Sequence, residues 1–271
     1  MLHNFEFRAP TKRSELLALL AGQGSEAKLL AGGTDLLVNV RAGASRPAMI
    51  IDVKRVEGYA AMSWSDADGL VIRPATTIND VLRDAGIRRR YPLLVSCAHD
   101  LASHQIRNRA TVIGNIVNAS PCSDMAPALL CLDASAVIAS AKGERRVPVR
   151  EFFLGVKRTV LAPDEVLDRV EVPASSVGAR GAYAKHKRIN GHDLGIIGVA
   201  VHKQGGALRV AISSAAPTPV LVDGLQESAP ADAVAAAVSK AISPISDLRC
   251  TKEYRAHMVD VFVRRLLQEV K

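Results

Sequence analysis

Aromatic side chains are scarce in this chain. They make up 4% of its 271 residues, and Trp64 is the single tryptophan. A stacking platform for single-stranded nucleic acid needs successive aromatic faces, so that function is excluded. Cysteine is scarce too. Cys97, Cys122, Cys131 and Cys250 form no C-x-x-C pair and no tight cluster, which argues against a zinc ribbon or a cysteine-held iron–sulfur cluster in this chain. There is no run of about 18 apolar residues to span a bilayer. Residues 1–10 lack the apolar core of a secretory signal, so the cytoplasm, with reduced thiols, is the expected compartment. Neither G-x-G-x-x-G nor a Walker A loop occurs, which disfavours a Rossmann domain and a P-loop nucleotidase.

What is present is ordinary for a folded chain: 48% apolar and 23% charged residues, enough to offset chain entropy. The length suggests about two domains. The 35 basic and 27 acidic residues leave a net charge of +8. The basic runs at 88–90 and 185–188 carry no interleaved aromatics and no helix-turn-helix pattern. They read as solvated charge rather than a DNA-binding surface.

Periodicity gives the organisation. Residues 14–20 form a helix with its apolar side chains crowded on one face, broken by Gly22 and Gly24. Strands are expected at 27–31, 49–53 and 70–74. Thr77 and Asp80 mark a capped helix start. Residues 93–101 and 125–132 read as helices around a polar segment and a turn at 111–115, and 134–140 as a strand. Beyond a change of composition at 173–178, strands at 181–186, 194–202 and 208–213 surround a Gly205-Gly206 hairpin turn. Helices at 231–242 and 251–270 close the chain. In the last, Tyr254, Met258, Val261, Phe262 and Leu266 make a stripe read as core. The boundary falls near residue 176.

Two loops have the chemistry to hold an anion. Leu30-Ala31-Gly32-Gly33-Thr34-Asp35-Leu36 runs from a buried strand through two glycines into an apolar helix-like run. Glycines let backbone N–H groups approach a phosphate and form a nest, and a helix start adds a favourable dipole. A plain strand-to-helix turn accounts for the same residues equally well. In the second loop, Thr111, Gly114 and Asn115 bring a hydroxyl, a glycine and a carboxamide together, and Asp124 follows. A carboxylate there suits ribose or ribityl hydroxyls, or the cap of the helix after it. Lys185 stands in a basic stretch where a surface role is equally open. His99, His104, His192 and His202 read as surface or core residues, and Cys122 as a packed thiol. No metal-ligand cluster and no nucleophile–base pairing is visible.

Two such loops about eighty residues apart suit one extended ligand with a central pyrophosphate. These motifs occur in order with Phe152-Phe153-Leu154-Gly155, with Glu165-Val166-Leu167 through Val172-Pro173, with Lys185 to Asp193, and with Asp247 to Arg255. Together they resemble the FAD-binding medium subunit of the molybdenum hydroxylases, the xanthine dehydrogenase and carbon monoxide dehydrogenase family, over essentially the whole chain. The resemblance implies an α+β fold: a two-subdomain FAD-binding domain of the PCMH type over 1–176, then an antiparallel-sheet-plus-helices C-terminal domain over 177–271.

The resemblance also implies the cofactor and its contacts. FAD would meet Leu29, Leu30, Ala31, Gly32, Gly33, Thr34, Asp35 and Leu36 through the first loop, and Thr111, Gly114 and Asn115 through the second. Asp124, Leu101, a backbone contact at Leu167, and Lys185 complete the set. No residue is expected to act as a catalytic acid, base or nucleophile, since FAD carries the redox chemistry. The implied partners are a large subunit with the molybdenum cofactor and a small subunit with [2Fe-2S] clusters, and the implied acceptor is NAD or another species. One departure stands out: Ile113 occupies the first of two glycines usual in the second loop. Either Ile113 takes a β conformation and faces the core, or it crowds the cofactor. A stand-alone FAD oxidoreductase and a subunit that has lost FAD remain the alternatives.

Overall fold

The structure, a computed structural model, describes residues 3–270. The outermost residues of both expected domains, 1–2 and 271, lie outside it. The first unit contains β1 (Glu6–Arg8), α1 (Arg13–Gln23), β2 (Ala27–Leu30), α2 (Leu36–Arg41) and β3 (Met49–Asp52). Its strands pair in parallel in the order β1-β3-β2. Leu16, Leu17 and Leu20 of α1 are buried against Met49, Ile51 and Val53, so one helical face and one sheet face close this core.

The second unit holds β4 (Met62–Ser65), β5 (Gly69–Ile72), α3 (Ile78–Arg83), α4 (Ala85–Arg90), α5 (Pro92–Asp100), α6 (His104–Arg107), α7 (Val112–Val117) and α8 (Ala126–Cys131). It continues through β6 (Ser135–Ser140), β7 (Gly143–Pro148), α9 (Val149–Phe152), β8 (Phe153–Gly155), β9 (Arg158–Thr159) and β10 (Val166–Val172). Strands β4-β5-β10-β6-β7 form an antiparallel sheet. Its alternation feeds two cores: Leu167 and Ile138 join the helices α3 to α8, while Val166 and Ala139 meet α1. The expected Thr77–Asp80 capping box starts α3.

The third unit is a meander of β11 (Arg180–His186), β12 (Ile197–Gln204), β13 (Ala207–Ser213) and β14 (Val220–Gln226), followed by α10 (Ala231–Ala241) and α11 (Lys252–Glu269). Its sheet is covered on both faces. Ala200 and Ala211 meet α8, whose six residues are all buried. Val199, Val201, Val210 and Ile212 meet α10 and α11. The alanines leave room for α8 to lie close to the strands. On α11 the core face is Val259, Val263, Leu266 and Leu267. Tyr254 and Val261 of the expected stripe are exposed, and Met258 and Phe262 flank the core. An apolar count cannot fix the phase of a helix to within one residue, and the buried Arg255 on the same face obscured it. β12 starts at Ile197 rather than 194, because Asp193 turns the chain by pairing with Arg188 at 2.8 Å.

Strand β10 carries a bulge between Leu167 and Arg169. It aims the carboxylate of Asp168 into the joint between the first two units. Asp168 accepts from Arg13 Nε (2.8 Å), Tyr59 Oη (2.7 Å), Arg73 Nη1 (2.8 Å) and Arg169 Nη1 (3.1 Å). Burial alone would raise its pKa. The bonds from Arg13 and Tyr59, with the nearby cations, win and hold it below the usual carboxylate range. No helix among the described residues is long and apolar enough to cross a membrane.

Two outcomes follow for stability. Asp168→Ala removes the buried acceptor shared by Arg13, Tyr59, Arg73 and Arg169, although Arg13 and Arg169 keep Glu144, and is expected to cost roughly 1–3 kcal/mol, read as a lowered denaturant midpoint. His202 is 2% exposed and its Nε2 has no partner. Burial, with Arg209 nearby, pushes its pKa from 6.5 to about 4. The unfolded chain therefore binds a proton that the folded chain refuses. Stability is full above pH 6.5 and falls as the pH drops towards 4, by about 3 kcal/mol from this group. In His202→Gln the unfolding free energy is expected to change less over that window.

Candidate functional site

A cleft of about 790 Å³ opens where the β2–α2 loop of the first unit faces the start of α7 and the loop joining β11 to β12. The volume lies within the range of sites for sizeable organic ligands. Each wall is built from main chain as much as from side chains.

The first loop owes its shape to both glycines, for different reasons. A Cβ on Gly32 would stand 2.1 Å from the carbonyl oxygen of Arg109, so this residue lets the loop lie directly on the backbone leading into α7. Gly33 has φ of +74°, where a side chain is strained. Its added Cβ would also stand 2.9 Å from Leu30 Cδ1. Lys54 steadies the loop by donating to Ala31 O at 3.1 Å and to Asp52 at 2.6 Å. The N–H groups of Gly32, Gly33 and Thr34 have no acceptor among the described residues. That leaves three backbone donors beside the cleft.

The second loop is not a turn but the start of α7. Thr111 is its N-cap, with Oγ1 accepting from Gly114 N at 2.9 Å, so the hydroxyl is committed to the helix. Ile113 lies in the first turn of α7, 4% exposed and packed among the central helices. It faces the core, as one expectation had it, but in a helical rather than a β conformation. It is not among the residues with positive φ, so the branched side chain is unstrained. The Asn115 carbonyl oxygen accepts from Ser123 Oγ (2.6 Å) and Met125 N (3.2 Å), bracing the chain that bears Asp124.

Asp124 does not cap α8. Ser123 Oγ instead accepts from Ala126 N at 3.3 Å. The Asp124 carboxylate turns to Lys185 of β11, with Nζ 2.8 Å from Oδ1 and 3.0 Å from Oδ2, and accepts from Tyr183 Oη at 3.4 Å. The Lys185 side chain is 3% exposed, so this lysine is no surface residue. Burial pushes the Asp124 carboxyl up, against the opposing pull of Lys185. Burial also raises the Cys97 thiol and the Tyr183 phenol, each with a further push from Asp124. Neither is fitted to act as a nucleophile or base near neutral pH. No group of His, Cys, Asp and Glu among the described residues could hold a metal ion.

All the sequence-expected residues line the cleft except Leu30 and Leu167. Leu30 packs beneath Gly33. Leu167 is 1% exposed on β10, opposite Ile138 in the central core, so the structure does not bring it to the others. Several cleft residues carried no sequence signal. Asn118 donates to Asp35 at 3.0 Å and accepts from Lys157 at 2.8 Å, joining three loops that are distant in sequence. Cys122 is on the cleft wall rather than packed away, and its Sγ accepts from Arg249 Nη1 at 2.9 Å. His192 and Asp193 line the mouth.

Residues 3–175 match the family described as the FAD binding domain in molybdopterin dehydrogenase, and residues 181–270 match the CO dehydrogenase flavoprotein C-terminal domain. The chain is 34% identical to the carbon monoxide dehydrogenase medium chain of Hydrogenophaga pseudoflava, covering 97% of this chain and 96% of that one. It is 30% identical to the xanthine dehydrogenase FAD-binding subunit of Escherichia coli O157:H7, covering 92% and 90%. Among solved structures it superposes on a chain of the Cu,Mo-CO dehydrogenase in its cyanide-inactivated form. There the TM-score is 0.92 and the identity 26%, over 100% of this chain and 98% of that one.

The Asp124–Lys185 pair gives a direct test of the cleft floor. Lys185→Met strands a buried carboxylate and is expected to cost about 3–5 kcal/mol. Adding Asp124→Leu removes the stranded charge and is expected to recover most of the loss, measured by denaturant unfolding as a double-mutant cycle.

Proposed function

The chain belongs to the family of FAD-binding medium subunits of the molybdenum hydroxylases, and from that premise we propose that it is the electron-transfer flavoprotein of a multi-subunit dehydrogenase. Its cofactor is FAD and its class is oxidoreductase. The observation that carries the reading is the set of unpaired N–H groups at Gly32, Gly33 and Thr34. They lie on a glycine loop that backs onto the chain entering α7. That donor set fits a pyrophosphate.

In this reading Leu29 and Ala31 to Leu36 wrap the phosphates, with Thr111, Gly114 and Asn115 opposite. Asp124 and Lys185 form the polar floor, and Leu101 offers an aliphatic contact. Bound there, FAD supplies the exchange between single electrons and electron pairs. The protein's part is to hold the cofactor, shape its surroundings and shield it. Nothing in the cleft resembles a positioned general acid or base, which favours an electron-transfer role over a stand-alone oxidoreductase. Ile113, the one ground for a lost cofactor, points away from the cleft.

The partners in the proposal are a small subunit with [2Fe-2S] clusters that delivers electrons and a large subunit with the molybdenum cofactor that oxidises the substrate. NAD or another acceptor takes the electrons, in the cytoplasm. The chain divides at 176/177 into the FAD-binding and C-terminal domains.

Purified chain reconstituted with FAD is expected to show the visible absorbance bands of bound flavin in one-to-one ratio. Gly33→Val, strained at positive φ, is expected to weaken FAD binding about 100-fold, the equivalent of roughly 2.7 kcal/mol. Absence of flavin bands from the reconstituted unsubstituted chain would overturn the reading. Co-purification from the source cell tests the partners: two further chains, one with iron and one with molybdenum, are expected.

A further inference from the structure

The C-terminus of α5 ends on the cleft, and the way its carbonyl groups are satisfied assigns a role to a residue outside the cleft. A helix leaves its last carbonyl groups without intrahelical donors and carries partial negative charge at that end. Here two cations collect them. Arg107 Nη1 donates to His99 O (2.8 Å), Leu101 O (3.0 Å) and Ala102 O (3.3 Å). Lys185 Nζ reaches Asp100 O at 3.4 Å.

The turn so held is a cleft wall. Leu101 and Ala102 both line it, and Ala102 sits at φ of +47°. An alanine in that region is unfavourable by about 1–2 kcal/mol, so the turn needs an external hold. Arg107 supplies it from α6, which is itself clamped. Ser103 Oγ caps that helix through Ile106 N (3.3 Å), and Asn79 Nδ2 donates to His104 O (3.2 Å). Among the described residues Arg107 makes no ion pair; its polar partners are the three carbonyls. Its hydrogen bonds therefore go to carbonyl dipoles, directly behind the cleft wall, and its buried Nε has no partner among those residues.

We infer that Arg107 is a positioning residue for the bound cofactor: it fixes the Leu101–Ala102 turn against FAD and places a positive charge behind it. The inference rests on FAD occupying the cleft as proposed above. Two consequences follow. Loss of the guanidinium frees the turn, so FAD binds less tightly. Loss of its charge leaves Lys185 as the one remaining cation at that helix end among the described residues, so the bound cofactor is harder to reduce.

The test uses the full chain reconstituted with FAD, in three forms: unsubstituted, Arg107→Met and Arg107→Lys. FAD affinity is read by fluorescence titration, and the midpoint potential of the bound FAD by equilibration with reference dyes. Arg107→Met is expected to raise the dissociation constant about tenfold and to shift the midpoint potential to lower values. Arg107→Lys keeps the charge but loses the three-way donor geometry. It is expected to bind FAD several-fold more weakly with its potential close to that of the unsubstituted chain. Unchanged dissociation constants in both variants would overturn the inference. So would a lowered melting temperature with the potential unmoved in Arg107→Met, which is what a purely structural arginine gives. If Arg107→Met does not fold, an unchanged FAD affinity in Arg107→Lys overturns it alone. Failure of the unsubstituted chain to bind FAD is a different result, and counts against the functional reading instead.

Discussion

The geometry of the molecule hangs on one buried carboxylate. Asp168 leaves the regular ladder of β10 at a bulge and gathers Arg13 of α1, Tyr59, Arg73 and its own neighbour Arg169. A lone carboxylate at 1% side-chain exposure would be expelled or neutralised. Surrounded by several donors it is stable, but only while all of them arrive together. Those donors come from the first unit, from the linker after it, from the end of β5 and from β10, the central strand of the five-stranded sheet. Their convergence fixes how the parallel sheet sits on the antiparallel one. That placement brings the Gly32-Gly33 loop onto the backbone at Arg109, and so forms one side of the cleft.

A second set of contacts fixes the other side. Lys185 and Tyr183 on β11 reach across to Asp124. Behind them Arg255 is fully buried, with its guanidinium donating to Ile196 O (2.7 Å), Ser214 O (2.8 Å) and Asp247 (3.0 Å). Asp247 also holds Arg249, which donates to Gly195 O at 2.8 Å and to Cys122. Helix α11 is thereby linked through a run of charge-assisted bonds to the cleft mouth. Within this network the Arg255 Nε is buried without a partner among the described residues, while both Nη atoms are satisfied.

How much of this was legible depended on whether the signal was local. The double glycine and the Thr77–Asp80 capping box are local patterns that mark the turn and the helix start they indicated, and three of the four strands of the third unit were legible, with the start of β12 and the whole of β14 missed. Thr111 to Asn115 was legible as a site but not as a helix, because six residues are too few to display a period. For Leu167 the resemblance implied a backbone contact; the pleat of β10 turns its side chain into the core, and the residue does not line the cleft. Asp168, its neighbour, gave no signal at all. A bulge is a property of two strands in register, and no single-strand pattern announces one. Asn118, Lys157 and Arg107 were invisible for the same reason: their partners are distant in sequence or are carbonyl groups that every residue possesses.

The contact at Gly32 sets a tolerance for the whole site. There the two loops touch main chain to main chain, with no side chain between them to lengthen or shorten. The gap on that line is gauged by peptide geometry, which substitution elsewhere on the loop cannot resize. Any adjustment of fit has to enter from the opposite wall, where Leu101 and the 187–196 loop present side chains. The glycine-loop side of the cleft acts as the fixed jaw of a vice, and the helix-end and hairpin side as the jaw that evolution can set.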